Sequence, residues 1–206
     1  MLNNEFEKLP LAAHEFLAGV PLHSLRRLDL PGGRKGMSIL DIKEVLGFDT
    51  EKLDIGFFSK ILFALRGAIG WVFRWDFDEK LIESVSYLSR LTARQRAESM
   101  VDPGKTEGIS RVLYCSENEF AAEIINHTVH CFWVMAIEEK ADGYAFWMAI
   151  YVKKLNWFTP VYMTLVTPML KGIIYPSMEK SILRNWKKAF PLASGKRIPR
   201  AAVVIK

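Results

Sequence analysis

The sequence has few cysteines and lacks the short motifs of the common catalytic and metal-binding folds. Cys115 and Cys131 are the only two among 206 residues, which excludes a disulfide framework and a cysteine-rich metal cluster. No G-x-S-x-G nucleophile motif occurs, and the glycine-rich stretch 32–36 lacks the spacing of a phosphate-binding loop. Gly and Pro are present at average levels, which excludes collagen-like and low-complexity classes. We therefore expect neither a metal nor a cofactor.

The sequence also lacks an uninterrupted membrane-spanning run. The first ten residues are acidic and have no apolar core, which argues against a signal peptide and favours the cytoplasm. Residues 57–75 are about one membrane thickness long, but Lys60 and Arg66 interrupt them. Arg66 alone would cost about 2.5–3.5 kcal/mol at the bilayer centre. We therefore predict that 57–75 form an amphipathic helix packed on a protein core.

Acidic residues are absent from residues 184–206, which hold seven Lys and Arg. The first 183 residues carry 21 basic and 23 acidic side chains, so the net charge of +5 comes from the C-terminal end. A nucleic-acid-binding domain would instead carry its basic residues along one face, so we expect no nucleic acid partner. The simpler interpretation is a helix end stabilised by cations, followed by a solvated basic tail over 191–206. Contact of this end with an anionic membrane surface is the alternative.

Half of the residues are hydrophobic, which is enough for one large core. In the N-terminal half, residues 20–30 suggest a strand. Ser38 and Asp41 have the spacing of a capping box, which predicts a short helix that ends at Gly47. Residues 78–100 have a helical pattern with Asp78 and Thr92 as candidate N-caps. A helical region is therefore expected over about 38–100.

From residue 109 the sequence becomes β-rich and aromatic. Short runs separated by turn residues predict an antiparallel meander over 109–116, 119–125, 129–138 and 144–153. The last two runs are apolar at both alternating positions, so both faces of the sheet need cover from helices, a ligand or a partner chain. Residues 160–190 then carry an apolar residue at every fourth position, which predicts a long helix across the sheet. Pro168 and Pro176 are expected to kink or divide it.

Several short segments of the chain match a known family pattern. They are Leu28–Gly33, Phe63–Arg66, Arg111–Tyr114, Glu123–His130, Gly143-Tyr144 and Ile174-Tyr175-Pro176. On these segments the chain resembles an uncharacterised bacterial family placed in the START-like helix-grip superfamily, also called SRPBCC. The resemblance implies an α+β helix-grip fold, with an antiparallel sheet wrapped on a long C-terminal helix and an extra N-terminal helical region. It implies one domain over 1–190, with the sheet and long helix at about 109–190.

Glu123, His127 and His130 form the compact titratable set in the apolar half. A tight turn at Asn126 and His127 would place Glu123 and His130 on paired strands, where they could serve as a general acid and base. The alternative is that His130 only satisfies a carboxylate or backbone partner. We treat Glu123 and His130 as weak catalytic candidates. No Cys/His/Asp trio completes a metal site.

The function that we expect is the binding of a hydrophobic small molecule or lipid in a helix-grip cavity. Aromatic side chains of the sheet are candidates to line it or to form the core. The candidate ligand contacts are Tyr114, Glu123, His130, Phe132, Trp133, Phe146, Trp147 and Tyr162. One alternative is a cyclase, dehydratase or hydrolase that uses Glu123 and His130. Another is a peripheral membrane protein or a homo-oligomeric assembly protein. The sequence favours a binding protein over an enzyme and leaves the choice open.

Overall fold

An antiparallel sheet of seven strands lies at the centre of the protein, in the order β2-β3-β4-β5-β6-β1-β7. The structure is a computed structural model, and it describes residues 2–48, 83–125 and 128–191 and the backbone of 202–205. The strands are β1 (Leu22–Pro31), β2 (Thr106–Glu107), β3 (Ser110–Cys115), β4 (Glu119–Ile125), β5 (Val129–Lys140), β6 (Gly143–Lys154) and β7 (Ala202–Ile205). The predicted meander is confirmed as β3–β6, with ends that differ by at most two residues. The α+β prediction is also confirmed.

The helices precede, interrupt and follow this sheet. They are α1 (Leu2–Glu7), α2 (Ala12–Phe16), α3 (Ile39–Leu46), α4 (Ala93–Ala97), α5 (Thr159–Met169) and α6 (Tyr175–Ala189). A 3₁₀ turn covers Tyr87–Arg90, and a π-helical turn, Leu170–Ile174, joins α5 to α6. Among the described residues, no helix combines the length and apolarity needed to cross a membrane. The predicted helix at 57–75 lies outside the described residues.

Two apolar layers cover the two faces of the sheet, as predicted from the apolar residues at both alternating positions of β5 and β6. The N-terminal face packs against α1, α2 and the Tyr87–Arg90 turn, and receives Phe132 and Trp147. The helix face packs against α3 and α6, and receives Met135 and Phe146. Because successive side chains of a strand point to opposite faces, β5 and β6 supply both layers at once.

Local capping explains where the short helices begin and end. Ser38 and Asp41 form the predicted capping box of α3, and Gly47 ends the helix with a φ of 81°. Of the predicted helical region 78–100 the structure describes residues 83–100, which contain a helical segment at 83–85, the 3₁₀ turn and α4, with extended backbone at Leu91 (φ −64°, ψ 129°). Thr92 restarts the helix because its side chain accepts a hydrogen bond from the backbone N–H of Gln95. A side chain that caps a new helix competes with continuation of the previous one. The other candidate cap, Asp78, lies outside the described residues.

The C-terminal helix runs from Thr159 to Ala189 with one irregularity, where the prolines predicted it. Pro168 lies inside α5, and Pro176 stands in the first turn of α6. A proline at 176 cannot donate a backbone hydrogen bond to the carbonyl of Gly172, and its ring presses on that carbonyl. The wide turn over Leu170–Ile174 accommodates both effects without ending the helix.

The chain returns to the sheet after this helix. Ala202–Ile205 pair antiparallel with β1, so that Arg27 lies opposite Ala202 and Ser24 opposite Ile205. Part of the expected solvated tail is therefore an edge strand.

Candidate functional site

Glu123 and His130 are neighbours across the paired strands β4 and β5, as predicted. The tight turn predicted at Asn126 and His127 lies outside the described residues. Glu123 lies opposite Phe132 and His130 opposite Ile125, so the two side chains are diagonal neighbours on the N-terminal face. A hydrogen bond of 2.9 Å joins His130 Nε2 to Glu123 Oε2. The same carboxylate accepts hydrogen bonds from the Ser86 hydroxyl and, at 3.0 Å, from the backbone N–H of Tyr87. Glu123 thereby ties the start of the 3₁₀ turn to the sheet.

The Glu123–His130 pair is closed to solvent. Both side chains are 0% exposed. The Tyr87 ring meets the His130 ring edge-on at 5.3 Å between centroids, and the Phe132 ring lies 4.2 Å away. A general acid or base must reach the proton that it transfers. Within the described part of the chain, the arrangement is that of a buried clamp, which agrees with the second interpretation of His130.

The pKa of Glu123 is lowered in this setting. Burial acts to raise it, but the hydrogen bonds from His130, Ser86 and the Tyr87 N–H together bring it below its ordinary value of 4.5. A carboxylate whose pKa is lower in the folded state stabilises the fold above the unfolded pKa and loses that contribution as the pH falls.

We therefore expect the free energy of unfolding to fall as the pH drops from about 4.5 through the lower folded pKa of Glu123. The acid dependence should be weaker in Glu123→Gln, which has no carboxylate at this position to protonate. Urea denaturation followed by circular dichroism between pH 3 and pH 7 measures both curves. Equal acid dependence in the two proteins would contradict the assignment.

A second buried carboxylate holds the N-terminal layer in place. Glu119 accepts hydrogen bonds from the backbone N–H groups of Ala12 (2.8 Å) and Ala13 (3.0 Å) at the start of α2. The Tyr114 hydroxyl donates to it at 2.8 Å. Burial raises the pKa of both Glu119 and Tyr114. Tyr114 therefore acts here as a neutral hydrogen-bond donor within the core.

The eight candidate ligand contacts are divided between the two faces of the sheet and the long helix. Those on the N-terminal face are Tyr114, Glu123, His130, Phe132 and Trp147, all of them buried. Trp133 and Phe146 lie on the helix face. Tyr162 belongs to α5 and is half-buried. Because the sheet separates the first group from the second, one cavity cannot be lined by all eight.

The helix face is unequally filled along its length. At its α3 end, Phe48 packs edge-on against Trp133 (5.5 Å) and tilted against Phe146 (6.0 Å). From Trp133 towards the other end, the side chains are apolar but only half-buried. We call these residues the apolar floor: Ile124, Cys131, Trp133, Ile150 and Val152. They are lateral neighbours, since Cys131 lies opposite both Ile124 and Val152, and Trp133 lies opposite Ile150.

Helix α5 runs along the strand ends that carry this floor. At its start, the Thr159 hydroxyl donates a hydrogen bond of 2.6 Å to the carbonyl of Thr128, which precedes β5. Near its end, Thr167 Oγ1 lies 3.5 Å from His23 Nε2 on β1. Few side chains of α5 are buried, and these are Thr159 and Val166. The helix is therefore attached at both ends to the strands that flank the apolar floor, while most of its own surface stays uncovered.

Four buried polar atoms on the helix face make no hydrogen bond of ordinary length and angle with the described residues, although the Ser24 and Tyr175 hydroxyls lie close enough to interact with each other. They are Ser24 Oγ, Arg26 Nε, Trp133 Nε1 and Tyr175 Oη. Ser24 lies opposite Ile150, so it continues the Trp133–Ile150 row onto β1. A buried polar group without a partner costs about 1–3 kcal/mol. Four such atoms on one face indicate a place where a hydrogen-bonding guest would be stabilised.

Arg26 is the charged member of this group, and its charge is balanced. Its guanidinium forms an ion pair with Glu179 on α6. The Tyr175 ring stacks on the guanidinium at 4.2 Å. Burial raises the pKa of Tyr175 to about 12, although Ser24 and Arg26 oppose the shift. Tyr175 is therefore a neutral phenol at pH 7.

Two open grooves lie at the surface of the described residues. One, of about 520 Å³, is lined by His23, Met163, Thr164, Thr167, Pro168 and Lys171. It adjoins the unpaired group through His23, the neighbour of Ser24. Burial, and then the nearby Lys171, lowers the pKa of His23, which is therefore neutral at pH 7. The other groove, of about 340 Å³, lies at the far end near Gly36 and Tyr144.

Sequence reasoning missed Ser24, Arg26 and Glu179. One signal was available in the strand 22–31, where Ser24 and Arg26 share the parity of Leu28 and Leu30. Polar residues on an apolar parity indicate buried hydrogen-bonding groups. Tyr175 was part of a matching segment, but its partners lie far away in the chain. Its role therefore depended on the tertiary structure.

Comparison with known proteins places the chain among uncharacterised sequences. A family model described as "Protein of unknown function (DUF2867)" matches residues 16–178. The match extends from the end of α2 into α6, and so includes β1 to β6. The expectation of an uncharacterised family is confirmed, whereas membership of the START-like superfamily stays a prediction. No curated protein and no solved structure matches the chain.

Proposed function

The chain belongs to the DUF2867 family of proteins of unknown function, and we propose that it binds an uncharged, mainly apolar small molecule between α5 and the helix face of the sheet. The observation that carries this proposal is the cluster of unpaired polar atoms beside the apolar floor. Ligand sites typically combine an apolar lining with a few polar groups that fix orientation.

The apolar floor supports the hydrophobic part of such a ligand. Its five side chains are contiguous across β4, β5 and β6, and each retains accessible surface. Covering apolar surface stabilises a complex by about 25 cal/mol per Å² removed from water. A ligand lying under α5 would cover this surface.

The polar atoms define the chemistry at the other end of the ligand. Trp133 Nε1 and Arg26 Nε can only donate hydrogen bonds, whereas the hydroxyls of Ser24 and Tyr175 can donate or accept. An acceptor oxygen such as a carbonyl meets these requirements. A carboxylate is less suitable, because Glu179 already neutralises Arg26 and a further buried charge would go uncompensated.

The test is a titration with laurdan, a fluorophore that carries an uncharged ketone on an alkyl chain. We expect wild-type protein to bind laurdan with a blue-shifted emission. Trp133→Phe removes one donor and keeps an aromatic ring, and should weaken binding about fivefold, which corresponds to about 1 kcal/mol. Fluorescence titration gives both dissociation constants.

Trp147→Phe is the matched control. Trp147 also has a buried Nε1 without a partner among the described residues, but it lies on the N-terminal face. Its substitution should leave laurdan binding unchanged. Absence of binding to wild-type protein, or equal weakening in both variants, would refute the proposed site. If laurdan binds as expected, mass spectrometry of organic extracts from the purified protein is the measurement that identifies the natural ligand.

The enzyme alternative gains no comparable support. Its candidate residues, Glu123 and His130, are fully buried on the opposite face, and neither of the two grooves is lined by them. We therefore propose binding and not catalysis.

A further inference from the structure

Large exposed hydrophobic side chains are concentrated along α5. Among the described residues six are exposed, and four of these belong to α5 or its flanks. We call these four the apolar stripe: Trp157 (78% exposed), Val161 (46%), Leu165 (63%) and Ile173 (45%). Residues 157, 161 and 165 are four apart, and 173 is two further steps along. Positions four apart lie on one side of a helix, so Val161 and Leu165 share one side of α5, with Trp157 just before the helix and Ile173 in the π-helical turn that follows it.

The charge around the stripe has one sign. Residues 143–178 contain no Asp or Glu, but they contain Lys153, Lys154 and Lys171. Lys154 and Lys171 are exposed, whereas Lys153 is half-buried on the N-terminal face, with its Nζ 5.0 Å from the centroid of the Tyr87 ring. One exposed cation therefore lies near each end of the stripe, Lys154 before Trp157 and Lys171 before Ile173. The first 183 residues as a whole are slightly acidic, so this surface differs from the rest of the body.

We propose that α5 docks onto an anionic lipid bilayer, with the apolar stripe in the headgroup region and the flanking lysines against the lipid phosphates. An apolar helical side flanked by cations is the pattern of helices that lie in a membrane interface. Trp157 suits this position because indole rings favour the boundary between water and hydrocarbon. The lysine charges match anionic headgroups. This inference goes beyond the proposed ligand site and does not rest on it.

Vesicle sedimentation tests the proposal with the full chain and no added ligand. Vesicles of phosphatidylcholine alone are compared with vesicles that also contain phosphatidylglycerol. We expect binding to the mixed vesicles, and a clear loss in the absence of phosphatidylglycerol. Leu165→Ser should lower the partition coefficient about tenfold, because the transferred leucine supplies apolar burial. Lys171→Glu should remove most of the dependence on phosphatidylglycerol.

Ile109→Ser is the matched control. Ile109 is 54% exposed, comparable to Leu165, but it lies between β2 and β3. The Ile109→Ser variant should bind the mixed vesicles as strongly as the wild-type protein does. Absence of wild-type binding, or an equal loss in Ile109→Ser and Leu165→Ser, would overturn the proposal.

Two other occupants of the stripe give distinct results. If a second copy of the chain covers it, Leu165→Ser will shift the sedimentation coefficient from dimer to monomer without vesicles. If residues 49–82 of the same chain cover it, Leu165→Ser will lower the urea midpoint of unfolding, whereas Ile109→Ser will not. Either result would overturn docking to a bilayer. The laurdan titration contains no vesicles, so the two proposals can fail separately.

Discussion

Substitution Glu123→Ala should lower the free energy of unfolding by about 3–5 kcal/mol. The carboxylate is the acceptor for the Ser86 hydroxyl, the Tyr87 N–H and His130 Nε2. Its removal leaves these donors buried without that acceptor, and each unmet donor costs about 1–3 kcal/mol. The site is 1% exposed, so water cannot readily replace the carboxylate. Urea denaturation followed by circular dichroism at pH 7 measures the loss.

Two variants bracket this result. Glu98→Ala removes a side chain that is 61% exposed and forms an ion pair with Arg94 on the protein surface, and should cost less than about 0.5 kcal/mol. Glu123→Gln retains one acceptor oxygen, which can serve the Tyr87 N–H and His130 Nε2 because both contact Oε2, while its amide NH2 faces the Ser86 hydroxyl; its stability should lie between those of wild type and Glu123→Ala. A loss in Glu123→Ala no larger than in Glu98→Ala would show that the clamp does not stabilise the fold.

Substitution Trp186→Ala should likewise cost about 3–5 kcal/mol. Trp186 is 0% exposed in the layer that joins α6 to the helix face. Its ring lies 4.6 Å from that of Phe190, and its Nε1 donates a 2.9 Å hydrogen bond to the carbonyl of Pro31. It also packs against Gly33, where an added Cβ would lie 3.0 Å from the indole. Truncation would leave a large cavity and an unpaired carbonyl.

Trp157→Ala is the corresponding control, since it makes the same substitution just before α5 at a side chain that is 78% exposed. It should change the free energy of unfolding by less than about 0.5 kcal/mol. Similar losses of stability in the two variants would contradict the assigned packing.

The burial of Trp186 also bears on the alternative in which the basic C-terminal end contacts a membrane. This side chain belongs to the core and is not available to lipid.

Local signals in the sequence predicted the strands and the short-range contacts well. The sequence signal at Asn126 and His127 predicted a short connection that would make Glu123 and His130 neighbours, and the pairing of β4 with β5 confirms that they are neighbours across the ladder. The capping box of α3 and the irregularity near Pro176 are likewise consequences of residues within a few positions of one another. Such contacts depend on the geometry of a single turn, which the sequence specifies directly.

The sequence alone did not indicate which face of the sheet each side chain occupies. Odd-numbered and even-numbered positions of β5 and β6 are both apolar, so the pattern does not show which set faces the long helix. The pairing of β3 with β4 shifts register between Val112 and Tyr114, and that of β1 with β6 between Leu22 and Ser24. A one-residue shift moves every following side chain to the other face. The aromatic candidates divide between two layers because Phe132 and Trp133, and likewise Phe146 and Trp147, are successive residues of one strand and point to opposite faces.

The sequence by itself determined the α+β class, the antiparallel meander, the broken C-terminal helix and the pairing of Glu123 with His130. Those features follow from periodicity, turn residues and caps, which act over a few residues. Only the tertiary structure decided that Ser24, Arg26 and Tyr175 meet beside the apolar floor, and that α5 keeps its apolar stripe exposed. Those features depend on how β1 and the long helix, far apart in the chain, are brought onto the same face of the sheet. Burial of one side of a helix depends on the surface that it meets, and this is a property of the packed fold.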